Sequence, residues 1–175
     1  MHSIQDELSR MVQAGLPGAF VYTKNADGAS QFFTAGVADL TTERRMTPDS
    51  RYRVGSTTKT FTAVVTLQLI AAGQLAFGHT VQQWLPELPI PNTDYLTIEH
   101  LLRMRSGLFD FVDDPSLLSL DANLKPYRLH DVVRLGINHP SRFLPGSRFE
   151  YCNTNYCVLE MIIERATGNS LQHEL

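Results

Sequence analysis

The 175-residue chain is 43% hydrophobic and 19% charged with a formal charge of −3, a globular composition with enough length for one ordinary core. No basic block or stripe of Lys and Arg occurs, which argues against nucleic acid as a partner. The longest apolar run, Ala63 to Ala72, is broken by Thr66 and Gln68 and is too short to span a bilayer, and the opening Met-His-Ser-Ile-Gln-Asp-Glu-Leu lacks the marks of a secretory signal.

Ile4 to Gln13 reads as a short amphipathic helix closed by Gly15 and Pro17. Two strands follow, Ala19 to Lys24 and Ser30 to Val37, joined through Asp27-Gly28, a strong hairpin-turn pair. Thr41 to Ser50 is a polar loop, and Tyr52-Arg53-Val54 is a brief extended entry to Gly55. Thr57 to Ala72 then predicts a helix stopped by Gly73. Its Phe61, Val64, Val65, Leu67, Leu69 and Ile70 fall on more than one face, so it is expected to be buried on most sides.

Beyond Gly73 the chain turns to short helices and proline-punctuated loops. Val81 to Leu85 is a helix ended by Pro86, and Pro86, Pro89 and Pro91 mark an irregular crossing. Thr97 caps Ile98 to Arg103, with Gly107 beyond it. Leu129 to Gly136 is another helix, Pro145-Gly146 a turn, and Thr154 to Ala166 an amphipathic helix closed by Gly168. Ser170 caps a further helix. A lone two-stranded hairpin is marginal in water, so this inventory reads as the first part of a larger α+β fold.

The chemistry concentrates at Ser56-Thr57-Thr58-Lys59. At spacing i, i+3 the serine and lysine share a face at a helix mouth, where unpaired backbone N–H groups converge. A serine hydroxyl needs a base to take its proton, and a lysine serves once burial or a neighbouring cation lowers its pKa. Lys59 is expected to be buried for that purpose, and the Ser56 N–H to help hold an oxyanion. The plainer reading is a serine cap beside a solvent-pointing lysine, since roughly one Ser-x-x-Lys arises by chance in a chain of this length. Tyr151-Cys152-Asn153 is the second constellation. Alternate residues of an extended segment point one way, so Tyr151 and Asn153 can enter one cleft, though a Tyr-x-Asn before a helix is also an ordinary turn.

Other chemistries fit poorly. A phosphate loop needs glycine before its lysine, where Thr58 stands, and Arg53 occupies its first glycine position. The six histidines are scattered without metal-ligand spacing. Cys152 and Cys157 flank a helix start, which disfavours a disulfide between them.

Taken together and in order, these blocks resemble the penicillin-recognising serine hydrolases: class C β-lactamases, D-Ala-D-Ala carboxypeptidases and related esterases. The matching blocks are Tyr52 to Ala63, Leu75 to Pro86, Leu96 to Leu102, Arg105-Ser-Gly-Leu108, Pro145-Gly146, Tyr151 to Tyr156 and Ile162 to Gly168. The resemblance implies a β-lactamase/transpeptidase-like α+β fold, with N-terminal strands of an antiparallel sheet and an all-helical subdomain. Residues 1–75 would be the N-terminal part of the α/β domain and 76–175 the helical subdomain.

By the same resemblance, Ser56 is the acylated nucleophile, Lys59 its proton partner, Tyr151 the general base or acid, and Asn153 a contact for substrate and lysine. No cofactor or metal is implied. The implied partners are cell-wall peptides, β-lactams or esters, in an extracytoplasmic or secreted setting. The family's third box, Lys-Thr-Gly or His-x-Gly, does not occur in the 175 residues. The expectation is therefore an N-terminal portion that lacks the later strands and closing helix, needs a C-terminal segment, and catalyses poorly alone. Met104 stands where the family commonly has histidine. The competing reading is a non-catalytic binding or interaction module on the same fold.

Overall fold

The computed structural model describes residues 3–117 and 126–175. They form two compact units, Met1–Arg53 and Val54–Leu175.

In the first unit, helix α1 (Ile4–Gln13) starts from a capping box. The Ser3 hydroxyl accepts from the Asp6 N–H, and the Asp6 carboxylate accepts from the Ser3 N–H, both at 3.1 Å. Strands β1 (Gly18–Lys24) and β2 (Ser30–Gly36) pair antiparallel, from Gly18 opposite Gly36 to Lys24 opposite Ser30. The Asp27 carboxylate accepts from the Ala29 N–H at 3.0 Å and shapes the turn. Helix α1 covers the hairpin, and the Gln5 amide donates to the Thr34 carbonyl at 3.0 Å. That cover answers the instability of a bare hairpin. It is thin: Leu8 is this unit's buried apolar side chain among the described residues, and the facing pair Tyr22 and Phe32 stays nearly half exposed.

In the second unit, a 3-10 turn (Gly55–Thr57) leads into α2 (Thr58–Ala71). Helices α3 (Val81–Trp84), α4 (Ile98–Leu102), α5 (Leu129–Ile137), α6 (Asn153–Thr167) and α7 (Leu171–Glu174) follow. Thr80 and Thr97 cap α3 and α4 through capping boxes with Gln83 and His100. Helix α6 is the hub, touching α2, α3, α4, α5 and α7. Its Val158, Leu159, Ile162 and Ile163 are fully buried against Val81, Leu85, Leu96, Ile98, Leu101 and Val133. Such burial stabilises by roughly 1.5–3 kcal/mol for each large side chain.

The expected helix boundaries shift by a residue or two, as frayed ends do. Three departures are larger. Helix α2 is not buried on most sides: Thr62, Val65, Thr66 and Leu69 form its buried stripe, while Phe61, Val64 and Leu67, spaced by three, form an exposed row. The helical unit takes only one stripe of an all-apolar helix. Val54 is not extended but in the right-handed helical region, because the 3-10 turn already begins there. The sequence also concealed the 3-10 turns Phe111–Asp113 and Pro115–Leu117, because so short a turn carries no apolar period.

Candidate active site

Gly55 has φ of +56°, a backbone state that residues with a Cβ avoid, and it turns the chain into the 3-10 turn that carries Ser56. Lys59 follows on the second residue of α2. Its side chain lies back along the helix toward the N-terminus, so that its Nζ donates to Ser56 Oγ at 3.3 Å. Lys59 is half-buried rather than buried as expected, because the cleft beside it is open.

The second wall comes from the entry to α6. Cys152 is extended and sends its thiol into the core, where it donates toward the Leu108 and Phe109 carbonyls. Its neighbours Tyr151 and Asn153 must then point the other way. The Tyr151 hydroxyl donates to Ser56 Oγ at 3.0 Å and lies 3.4 Å from Asn153 Oδ1. Asn153 Oδ1 accepts from Lys59 Nζ at 2.7 Å. The four residues singled out from sequence thus meet within hydrogen-bond reach, through contacts that join positions 94 and 95 apart in the chain.

Lys59 Nζ also lies over the Tyr151 ring, 5.1 Å from its centroid, and 5.9 Å from that of Tyr156. The nearby Lys59, then the contact with Ser56, holds the Tyr151 phenol below its ordinary range, against opposition from burial and the Asp110 charge. A phenol so placed gives up its proton more readily and can accept one from the serine. Lys59 Nζ and the Tyr151 hydroxyl thus meet at Ser56 Oγ as a pair.

Residues missed in the sequence support this pair. Asp110, only 5% exposed, accepts from Asn153 Nδ2 at 2.9 Å. Ser106 of the Arg105-Ser-Gly-Leu108 block donates to Asn155 Oδ1 at 2.5 Å, and its oxygen accepts from the Leu108 N–H at 3.0 Å. The segment preceding Tyr151 is pinned by Glu150 N–H to the Met104 carbonyl and Arg142 N–H to the Gly107 carbonyl, at 2.9 and 2.8 Å. The available signal was one of position: polar residues interleaved with apolar ones just after that block.

Ser56, Lys59, Phe111, Asn153, Tyr156 and Glu160 are among the residues lining a cleft of about 320 Å³. Burial pushes the Glu160 carboxyl above its usual range, with help from Glu164. Burial also raises the Cys152 thiol to about 11 and the Cys157 thiol to about 12, so neither competes with Ser56 as a nucleophile at neutral pH. Both cysteines are free. Among the described residues, no three His, Cys, Asp or Glu side chains converge as metal ligands, and no helix is long and apolar enough to cross a membrane.

A hydroxyl flanked by an amine and a phenol, above a helix start, is equipped for attack on a carbonyl. Residues 5–175 match the beta-lactamase family, and the chain belongs to it. Esterase EstB of Burkholderia gladioli is 35% identical over 147 residues, which are 78% of this chain and 37% of the esterase. A D-stereospecific amidohydrolase from Streptomyces sp. superposes with a TM-score of 0.82 at 31% identity, over 97% of this chain and 50% of that one. A D-amino acid amidase from Ochrobactrum anthropi SV3, solved with D-phenylalanine, gives 0.80 at 27% identity, over 98% and 46%. The fold is therefore β-lactamase-like, here with a two-stranded antiparallel sheet and a set of helices. The chain spans half or less of the length of these relatives.

Proposed function

We propose that the protein is a serine hydrolase working through an acyl-enzyme on Ser56, with D-configured amides and related esters as its substrates. D-Ala-D-Ala peptides head that class and β-lactams resemble them in shape, which keeps a D-alanyl-D-alanine carboxypeptidase-like activity as the leading reading. The names of the similar amidohydrolase and amidase support the D-configured class, and that of EstB supports ester chemistry. The same proposal assigns residues 1–75 to an α/β domain and 76–175 to a helical subdomain of the whole fold.

The observation that carries the reading is Ser56 Oγ held between Lys59 Nζ and the Tyr151 hydroxyl. In the first step Ser56 Oγ bonds to the substrate carbonyl carbon as its proton passes to the Lys59–Tyr151 pair. That proton then goes to the leaving amine or alcohol as the acyl bond breaks, leaving an ester on Ser56. Water adds to the ester and releases the acid. Asn153 keeps the lysine in reach and offers its amide to the substrate.

Intact mass spectrometry after exposure to a fluorophosphonate tests this. One adduct on Ser56 is expected, absent in Ser56→Ala and slowed by about 100-fold or more in Lys59→Met and Tyr151→Phe. Labelling of the wild type no faster than Ser56→Ala would overturn the proposal in favour of a binding module on the same fold.

A further inference from the structure

We infer that Asp110 is a positioning residue: it sets which way round the Asn153 amide sits, and through that amide holds Lys59 beside Ser56. The inference rests on the reading of Ser56 as the reacting group.

The argument begins with the two ends of an asparagine side chain. The oxygen end only accepts hydrogen bonds and the nitrogen end only donates, while the two are nearly the same in shape. Packing alone therefore cannot choose between them. An ionised carboxylate only accepts, so Asp110 Oδ2, 2.9 Å away, admits only the NH₂ end of Asn153. The carbonyl end is thereby turned to Lys59 Nζ at 2.7 Å. Reversal would set a carbonyl against a carboxylate and an amide NH₂ against an amine that donates to Ser56. Both contacts would turn repulsive together.

Asp110 is itself held firmly. The Thr154 hydroxyl donates to the Phe109 carbonyl at 2.7 Å and accepts from the Phe111 N–H at 3.0 Å. One side chain thus grips the backbone on both sides of Asp110, and it neighbours Asn153 in the chain. The Phe109 ring stacks on His139 at 3.9 Å, and His139 meets the Asp114 carboxylate at 2.8 Å. A nearly buried carboxylate is costly unless it is paired. No salt bridge among the described residues includes Asp110. The Asn153 amide links it to Lys59.

A purely structural role also has to be answered, because Asp110 Oδ1 accepts from the Val112 N–H at 3.4 Å and starts the Phe111–Asp113 turn. Asp110→Asn separates the two roles. An asparagine at this position keeps the Val112 bond with its oxygen and then turns its NH₂ toward Asn153. That arrangement favours the reversed Asn153 amide, with the cap and the side-chain volume retained. Adding Asn153→Asp restores acceptors for both neighbours, since that carboxylate takes hydrogen bonds from the amide introduced at position 110 and from Lys59 alike.

The test compares second-order fluorophosphonate labelling and thermal melting for wild type, D110N, N153D and D110N/N153D. D110N is expected to label about 10- to 100-fold more slowly, the loss appropriate to a hydrogen bond to a charged group, with melting little changed. N153D sets two carboxylates face to face and should label as slowly or slower. The double variant, which no longer sets two carboxylates face to face, should label faster than N153D. Wild-type labelling in D110N, or a double variant no faster than N153D, would overturn the inference. A second readout is independent of reactivity: hydrogen exchange at the Asn153 side-chain NH₂, followed by NMR. Protection is expected in wild type and its loss in Asp110→Ala; exchange at the rate of a free amide in wild type would overturn the inference. Failure of the wild type to label at all would instead count against the proposed hydrolase, leaving the exchange measurement to decide on Asp110.

Discussion

The two units of this chain solve the same problem with unequal means. The hairpin unit holds its strands by backbone pairing and a capped helix, with Leu8 for a core and Tyr22 and Phe32 nearly half in solvent. The helical unit packs α2, α3, α4, α5 and α7 around α6 and buries whole side chains of Val, Leu and Ile. All four residues of the proposed site, and Asp110 behind them, belong to the second unit. Dense packing and buried polar contacts restrict side-chain motion, and a hydrogen-bond relay of 2.7 to 3.3 Å needs that restriction.

That contrast can be broken most strongly at the hub. Ile162→Ala removes a fully buried side chain from α6 and should cost about 3–4 kcal/mol of stability. Trp84 is the chain's one tryptophan and sits in the helical unit, so its fluorescence during a urea titration reports the loss. Next in size is Gly136→Ala. A Cβ there would stand 2.6 Å from both Thr154 Oγ1 and Cγ2, on the side chain that grips the loop around Asp110. About 1–3 kcal/mol is expected from this overpacking, together with slower labelling of Ser56. A stability loss with labelling unchanged would mean that the Thr154 grip does not reach the site.

Phe32→Ala in the hairpin should cost under about 1 kcal/mol, the scale of one cross-strand pair, and should leave the Trp84 midpoint where it was. A shifted midpoint would show the two units unfolding as one. The smallest effect concerns Glu160. Its carboxyl is held above the ordinary glutamate range by burial, so the folded state resists its ionisation. Below the unfolded value the group is neutral in both states and nothing is lost. As pH rises through the folded value, the charged form weakens the fold. Glu160→Gln should therefore raise the melting temperature at about pH 8 and leave it unchanged at about pH 4; a gain at both would place the benefit in packing.

Much of this was legible in one dimension. The capped start of α4, the hairpin turn at Asp27-Gly28 and the long α6 each follow from a local pattern of few residues. Ser56, Lys59, Tyr151 and Asn153 were legible too, as two short motifs in order. Asp110 was not, because a carboxylate between two phenylalanines carries no period and no motif. The exposed row on α2 was misjudged for a related reason. An all-round apolar helix states what it can bury but not which of its faces this chain covers.

The sequence by itself determined the longer helices and the hairpin, the family and the four candidate residues, since caps, turns and short motifs are interactions between near neighbours. Only the tertiary structure decided that Ser56 and Tyr151, 95 positions apart, stand 3.0 Å from each other, and that a nearly buried carboxylate accepts from the Asn153 amide beside Lys59. Contacts of that kind are set by how α2, α6 and the loop at Asp110 pack. Packing depends on the whole core at once, and no short window of residues contains it.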